Sequence, residues 1–369
     1  MENYIVLSCR HCSQKNRIDK HKALYDTDSI KCGKCGKNIF LELDEKLDYF
    51  DVEDYVHPLD AKTLDTLKKI PAVTSILKFW VQHTSEMFYK IIHYQNHVKV
   101  SAEQFPELYK LYKTMVFVLD MQDNEPELFI YTSPYINAYT YGVDKHFIAI
   151  SSTAIAELDD MQIMDVLAHE LGHILLNHVL YKMVAVFVVE LSLSIANKTF
   201  GIGGLLLKPV VQAFLAWNRA SELSADRVAL MATKNLKSAH MVTLKLAATI
   251  PGMDSSKYNY EAFLEQGDLA RKMEDENILV KFFNFFQNTS VTHPFPVWRS
   301  GELDEWAKNG DFLSLLAYNH VKERGVINEL QVCKNCKEKY SVRLSVCPYC
   351  GNSDEKEDQS FFDKLKNLF

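Results

Sequence analysis

The spacing of apolar residues divides the chain into helical and extended parts. Residues 59–120 place apolar side chains mostly three or four positions apart, which predicts helices. Three short segments rich in aromatic and β-branched residues then predict strands: residues 128–131, 138–142 and 146–151. Helical spacing returns from residue 161 to about 197 and resumes after the glycine-rich stretch 201–204. Helices, a small sheet and further helices together predict an α+β fold.

Shorter patterns refine these elements. The pair Asp159 and Asp160 is typical of a helix N-terminus and predicts where the second helical part begins. Residues 38–43 alternate between apolar and polar positions and predict a strand. The acidic residues between 44 and 54 predict a linker.

The apolar region 183–215 requires a separate test for membrane insertion. Glu190, Lys198 and Lys208 interrupt it, so no run reaches the roughly 20 uncharged residues that a spanning helix needs. We therefore expect a buried helical hairpin. An interfacial or re-entrant hairpin remains the alternative.

Composition and charge exclude several classes of protein. The 369 residues are 47% hydrophobic and 24% charged, which is typical of a globular protein and not of a disordered or fibrous one. The net charge of −7 predicts no general attraction to nucleic acid or to an anionic membrane. The first residues lack the apolar stretch of a secretory signal, so we expect a reducing, cytoplasmic environment. Peripheral contact with the inner membrane is the alternative.

All eight cysteines occur in C-x2-C pairs at the two ends of the chain: Cys9 and Cys12, Cys32 and Cys35, Cys333 and Cys336, Cys347 and Cys350. In a reducing compartment, two such pairs close in sequence predict a tetrahedral structural Zn²⁺ site. A redox role is the alternative, but a redox C-x2-C pair belongs to a thioredoxin-like βαβ unit, which the pattern does not show. Each end of the chain is therefore predicted to form a small zinc ribbon.

The segment from His169 to His173 reads H-E-x-x-H inside the long apolar helix. Residues four apart lie above one another on a helix, so His169 and His173 can present two imidazoles to one Zn²⁺. Glu170 lies near the same face, where it can take a proton from an attacking water and later pass it to the leaving amine. The alternative, that the two histidines and the glutamate are buried without a metal, would be costly.

Three residues compete as the third metal ligand. His178 does not fit the extended motif that would make it a ligand, and Glu190 lies several turns away on what the pattern predicts to be the same helix. Glu222 begins a second helical segment that could return antiparallel and place its carboxylate at the metal. Asp226, one turn later, is a candidate partner for a ligating histidine; a surface ion pair with an arginine is its alternative.

Five segments, in order, resemble the zinc metallopeptidases that include bacterial HtpX and the CAAX prenyl endopeptidases: residues 137–142, 146–151, 169–173, 222–227 and 293–299. The resemblance implies a mainly helical gluzincin-type domain with a small sheet, with Glu222 as the third ligand. It also implies that His293 stabilises the oxyanion and that the strand around residues 147–151 is the edge on which a substrate lies extended. The substrate-edge residues are then predicted to be Asn137, Phe147, Ile148 and Ala149.

Arg299, in the last of these segments, is predicted to pair with an acidic residue behind the metal ligands, and an ordinary surface arginine is the alternative. The chain lacks the spans of the membrane members and is similar to the soluble branch of the family.

The expected organisation is a sequence of five parts: an N-terminal zinc ribbon at 1–43, an acidic linker at 44–58, a metallopeptidase domain at 59–325, a C-terminal zinc ribbon at 326–354 and an amphipathic tail at 355–369. The predicted cofactors are one catalytic and two structural Zn²⁺ ions. The ribbons and the tail are candidate surfaces for a protein partner, whereas nucleic acid is not expected and membrane contact is at most peripheral.

The leading hypothesis is a zinc endopeptidase that hydrolyses extended or unfolded polypeptides, which the family resemblance connects to protein quality control. Two alternatives remain: an adaptor that binds through its ribbons and keeps an inactive peptidase scaffold, and a membrane-associated protease. A degenerate scaffold would have no need to keep Glu170, and this argues against the adaptor.

Overall fold

The computed structural model describes residues 4–40, 42–43, 45–47, 54–69, 86–142, 145–198, 202–276, 296–309, 312–317, 330–332, 334 and 339–341. The strands are β1 (Tyr4–Ser8), β2 (Lys15–Asp19), β3 (Val98–Lys99), β4 (Glu127–Tyr131), β5 (Ala138–Tyr141), β6 (Phe147–Ser151), β7 (Leu330–Val332) and β8 (Lys339–Ser341). The α-helices are α1 (Lys20–Tyr25), α2 (Pro58–Lys68), α3 (Glu86–Asn96), α4 (Pro106–Val118), α5 (Ser152–Glu157), α6 (Asp160–Leu175), α7 (His178–Lys198), α8 (Ile202–Thr233), α9 (Leu236–Ala247), α10 (Tyr260–Glu276), α11 (Pro296–Asn309) and α12 (Phe312–Ala317). Among the described residues, many helices together with one four-stranded and two two-stranded sheets confirm the predicted α+β class.

The N-terminal module is built on an antiparallel hairpin in which β1 pairs with β2. The predicted strand at 38–43 is wrong for the residues described there, which contribute only an isolated bridge between Lys31 and Asn38. The neighbours Ile39 and Phe40 are both fully buried, whereas a strand with one solvated face would bury only one of them.

The module is docked on the helical part of the chain. The Lys234 ammonium donates to the backbone oxygen of Glu42 at 2.6 Å. In the segment predicted to be a linker, the Leu47 amide donates to the Val118 carbonyl at 2.7 Å, and Leu47 and Tyr55 are buried. The described part of this segment therefore packs against the domain that it connects.

The main sheet has the strand order β3-β4-β6-β5, and the three strands predicted near 128–131, 138–142 and 146–151 are confirmed as β4, β5 and β6. β6 runs parallel to β4 and antiparallel to β5, so both of its sides are hydrogen-bonded. One face of β6 packs Ile148 and Ile150 into the main core, and the other packs Phe147 and Ala149 against an aromatic cluster.

β6 is therefore not the exposed edge that the resemblance implied, and the prediction that Phe147, Ile148 and Ala149 form a substrate edge is wrong. Among the described strands, the edge next to β6 is β5. Asn137 directly precedes this edge strand, and its side chain donates to the Tyr131 hydroxyl at 2.8 Å.

The helix predicted from residue 161 to about 197 is two helices. α6 begins at the predicted cap, where the Asp159 carboxylate accepts from the Gln162 amide. It ends before Asn177, whose left-handed backbone (φ 56°) redirects the chain, and the axis of α7 is bent by 87° from that of α6. Asn adopts this conformation more readily than most residues, so the helix can end here. The apolar spacing continues because α7 begins directly afterwards.

α8 packs against both α6 and α7, so the described helices of the region 183–215 lie against each other. Val186 and Leu193 of α7 are 56% and 61% exposed, so the predicted burial of this hairpin is incomplete. In the described ranges no single helix has the length and apolarity to cross a bilayer; one bent pair, Asp160–Leu175 with His178–Val189, meets the length and composition criteria together.

Candidate metal centre

The centre lies where α6 crosses α8. At this crossing Gly172 faces Val228, and a Cβ atom added to Gly172 would lie only 3.0 Å from the Val228 Cβ. Any larger residue would push the helices apart, so the glycine inside the H-E-x-x-H segment allows their close approach. The approach brings the buried Glu222 of α8 to the two histidines of α6.

Three potential ligand side chains converge here. His169 Nε2 lies 3.2 Å from His173 Nε2 and 3.4 Å from Glu222 Oε2, and His173 Nε2 lies 3.3 Å from Glu222 Oε1. A tetrahedral zinc ion with bonds of roughly 2.0–2.1 Å requires ligand atoms about 3.3 Å apart. The three separations therefore fit one zinc ion, and three protein ligands leave the fourth position open.

The structure also decides between the three candidates for the third ligand. Glu222 reaches both histidines, whereas the H-E-x-x-H helix ends before it could extend to Glu190. His178 lies behind the ligands, with its Nδ1 3.0 Å from His173 Nδ1. The 87° bend at Asn177 allows this contact, which a straight helix would forbid.

Lys182 is a cation at the centre that the sequence pattern did not reveal. Its ammonium lies 2.9 Å from His173 Nε2 and also donates to Glu222 Oε1. A metal ion and this ammonium compete for the same two atoms because both are cations. Burial, and then the charge of Lys182, lower the pKa of His173 well below its ordinary value, so its imidazole is in the neutral form that binds metal.

A carboxylate supports His169, the other histidine of the candidate metal site. Asp226 Oδ1 lies 2.9 Å from His169 Nδ1, as expected for a carboxylate that orients a metal-binding imidazole. Burial alone would lower the pKa of His169, but its contacts with Asp226 and Glu222 raise it to about 9. A metal ion that binds Nε2 displaces a proton from this group, so metal binding is coupled to proton release.

Arg299, on α11, contacts Asp226. We call the residues that contact the candidate ligands from behind the outer layer of the centre. Arg299 is 7% exposed, its Nε donates to Asp226 Oδ2 at 2.8 Å and its Nη2 donates to Asp226 Oδ1. Its Nη1 also lies 3.3 Å from Glu222 Oε2. The arginine is thus a buried bidentate partner of Asp226, which excludes the alternative of a surface arginine.

The predicted proton carrier is held by the sheet edge. The Thr140 hydroxyl on β5 lies 2.7 Å from Glu170 Oε2 and 3.2 Å from the Glu170 carbonyl oxygen. Glu170 is 7% exposed. The edge strand therefore meets the metal centre at Thr140, and Glu170 lies between the ligands and this strand.

A second group of potential ligands lies in the N-terminal module. The four thiols of Cys9, Cys12, Cys32 and Cys35 cluster, with Sγ separations of 3.6 Å for Cys9–Cys35 and for Cys12–Cys32. A tetrahedral zinc site with bonds near 2.3 Å requires sulfur atoms about 3.8 Å apart, whereas a disulfide requires about 2 Å. The cluster fits the predicted structural zinc site.

The two cysteine loops have the same backbone design. The amide two residues after the first cysteine points at its sulfur: His11 N lies 3.4 Å from Cys9 Sγ, and Lys34 N lies 3.4 Å from Cys32 Sγ. Backbone N–H groups, first that of Cys35 and then that of Lys34, lower the pKa of Cys32 to about 6, whereas burial raises the pKa of Cys9 to about 12. In the absence of a metal, Cys32 is therefore the thiol of this pair that ionises first.

Several predicted residues lie outside the described part of the chain: His293, Cys333, Cys336, Cys347 and Cys350. The predicted tail at 355–369 lies outside it as well. The antiparallel pair of β7 and β8 falls within the predicted C-terminal ribbon. Roles at these positions remain predictions.

Comparisons with known proteins agree with this geometry. The sequence profile described as Peptidase family M48 matches residues 102–307. Plastoglobule-localized metallopeptidase 48, chloroplastic, from Arabidopsis thaliana is 30% identical over 268 residues, which are 72% of this chain and 76% of that protein. A protease HtpX homolog from Helicobacter pylori strain J99 is 37% identical over 75 residues, or 20% of this chain and 24% of that protein. No solved structure matches.

Two histidines four apart on a helix, with a carboxylate from a crossing helix, define a metallopeptidase-type centre. The chain belongs to peptidase family M48.

Proposed function

We propose that this protein is a zinc-dependent endopeptidase that cleaves extended segments of polypeptides. The observation that carries the proposal is the triangle of His169 Nε2, His173 Nε2 and Glu222 oxygens, with separations of 3.2–3.4 Å. Membership of family M48 supports the reaction class.

Zinc held by His169, His173 and Glu222 would supply a Lewis acid that polarises the scissile carbonyl and acidifies water. Glu170 would take the proton of the attacking water and return it to the leaving amine, while the Thr140 hydroxyl holds its carboxylate. Asp226 and Arg299 keep the imidazole of His169 oriented. By resemblance to the family, His293 would donate to the oxyanion, a contribution of about 3–4 kcal/mol for one donor.

The substrate would pair with β5. This strand has a neighbour on one side only among the described strands, and its Thr140 contacts Glu170. An extended peptide can add to such an edge through backbone hydrogen bonds. Pairing through the backbone does not depend on the side chains of the substrate, which suits unfolded polypeptides and a role in protein quality control.

The two ribbons would each hold one structural zinc, so that the chain would carry three zinc ions in total. The docked N-terminal module supports a structural role for this metal, since the module is too small to have a core of its own. The paired cysteines also support residence in a reducing compartment such as the cytoplasm.

The decisive test compares the wild-type chain with Glu170→Gln. Zinc is counted by atomic emission, and cleavage of an unfolded protein is followed by mass spectrometry. We expect three zinc ions in both proteins and a loss of cleavage of at least about 100-fold in the variant, because a general base contributes this much.

Glu107, at the N-terminus of α4, is the matched control, because Glu107→Gln makes the same change at an exposed position. Equal cleavage by wild type and Glu170→Gln would contradict the mechanism. Full zinc content with no cleavage by the wild type would favour the adaptor instead.

A further inference from the structure

The two ligating histidines have different partners behind them. His169 contacts the carboxylate of Asp226 directly, whereas His173 contacts a second imidazole, that of His178, at 3.0 Å between the two Nδ1 atoms. His178 is 2% exposed, so water does not provide its remaining contact. Its Nε2 instead lies 3.1 Å from Oδ2 of Asp60 on α2.

The roles of donor and acceptor along this chain follow from the metal site. If His173 binds metal through Nε2, its Nδ1 carries the proton and donates to His178 Nδ1. His178 is then protonated at Nε2, and that N–H donates to Asp60 Oδ2. Every polar hydrogen in this series has an acceptor, and the last acceptor is a carboxylate.

We infer that Asp60 is a positioning residue of the metal centre, which orients His173 through His178. Asp60 lies before the segment 102–307 that matches the family profile, so the N-terminal helix α2 completes the outer layer of a centre built from later helices. The inference rests on the proposed function, because it assigns His173 to a metal ion.

Several contacts fix Asp60 in place. It is 2% exposed, and its Oδ2 also accepts from the Ser224 hydroxyl of α8 at 2.6 Å. The Ser224 oxygen in turn accepts from the backbone amide of His57 at 2.9 Å. Burial alone would raise the pKa of Asp60, but the contacts with His178 and Ser224 lower it below its ordinary value, so the group is a charged acceptor.

The start of α2 is anchored to two other helices. Pro58 occupies the first turn, and the His57 ring caps the helix by accepting from the Leu59 amide at 3.1 Å. The His57 ring also lies 3.6 Å from Glu302 of α11. Asp60 therefore lies in the first turn of a helix whose start is held by α8 and α11, as a positioning group requires.

The test measures zinc affinity in the full chain. Competition with a chromophoric chelator gives the affinity, and the chain with His169→Ala and His173→Ala serves as the baseline that contains only the cysteine sites. We expect Asp60→Asn to weaken binding at the His–His–Glu site by about 10-fold, because loss of an outer-layer partner typically costs 10–100-fold. Asp65→Asn, at a 63% exposed position of the same helix, should bind zinc as the wild type does.

A double-mutant cycle separates positioning from general destabilisation. If Asp60 acts through His178, then Asp60→Asn should have little further effect on zinc affinity in a His178→Ala background. A merely structural Asp60 would lower the melting temperature of metal-free protein without changing zinc affinity. If Asp60→Asn fails to fold, Ser224→Ala removes one hydrogen bond to the same carboxylate oxygen and should weaken binding by about 2- to 5-fold.

Wild-type zinc affinity in Asp60→Asn, or fully additive effects in the cycle, would overturn the inference and leave the proposed function intact. A wild-type chain that binds no more zinc than the baseline variant would overturn the proposed function, and the inference with it.

Discussion

The Asp226 carboxylate lies between His169 and Arg299. Its Oδ1 is 2.9 Å from His169 Nδ1, and its Oδ2 accepts a hydrogen bond from Arg299 Nε at 2.8 Å. Burial alone would raise the pKa of Asp226, but Arg299 and His169 lower it below its ordinary value. The arginine therefore keeps the carboxylate charged, and the charged carboxylate orients the imidazole.

Replacing Asp226 by Asn should reduce zinc affinity at the His–His–Glu site by about 10- to 100-fold, because the amide orients His169 poorly. It should also destabilise the fold by about 1–3 kcal/mol, since the buried Arg299 would lose its bidentate charged partner and keep only the contact with Glu222. Chelator competition measures the first effect and urea unfolding the second. Asp268→Asn, an exposed change on α10, is the control. Undiminished zinc affinity in Asp226→Asn would show that the carboxylate does not orient the ligand.

A second prediction concerns Asp165 on the same helix as the histidines. Burial and the charge of Asp226 raise its pKa to about 7, above the value of about 3.9 expected in the unfolded chain. At this position the folded state thus binds more protons, and the contribution of Asp165 to the stability of the metal-free chain should fall as the pH rises from about 4 to 7.

Asp165→Asn cannot ionise, so its stability relative to wild type should rise between about pH 4 and pH 7, as measured by urea unfolding of metal-depleted protein. The exposed Asp160, at the start of the same helix, provides the control variant Asp160→Asn. A stability difference between wild type and Asp165→Asn that does not change with pH would contradict the raised pKa.

Thr140→Val removes a hydroxyl and keeps the shape of the side chain. Because this hydroxyl donates to Glu170 Oε2 at 2.7 Å, we expect kcat/KM to fall by about 2- to 10-fold while zinc affinity stays at the wild-type value. Thr140→Ser keeps the donor and should retain most of the activity. Wild-type kcat/KM in Thr140→Val would mean that the sheet edge does not position the proton carrier.

Cys32→Ser should remove the N-terminal structural zinc. The serine cannot supply a thiolate, so the zinc content of the chain should fall by one and the docked hairpin should lose much of its stability. Zinc analysis and thermal unfolding measure the two effects. The exposed neighbour Lys31 offers the control Lys31→Ser. Equal zinc content in Cys32→Ser and wild type would exclude a four-cysteine site.

The features that the sequence predicted well depend on short spacings. His169 and His173 lie on one face because four residues are about one turn of a helix, and the cap at Asp159 is a local hydrogen bond. The predictions that failed depended on continuity or on distant pairing. The apolar spacing does not change at Leu175, where the helix ends. The local signal is Asn177, a residue type that often adopts the left-handed conformation at helix ends.

The residues around the candidate ligands show the same difference between local spacing and long-range packing. Glu222 could be proposed from the sequence, but its approach depends on Gly172 against Val228, which are more than fifty positions apart. Lys182 and Asp60 carried no sequence signal, because their partners lie on other helices.

The sequence by itself determined the chemistry that the chain can offer: two histidines and a glutamate on one helix, and cysteines in pairs with the spacing of a zinc site. Short-range spacing fixes these groups because helix and turn geometry are the same in every fold. Only the tertiary structure decided that β5 rather than β6 is the edge strand, and that Asp226, Arg299, His178 and Asp60 surround the ligands. Strand order and helix crossings follow from packing of the whole core, to which each local segment contributes only one surface.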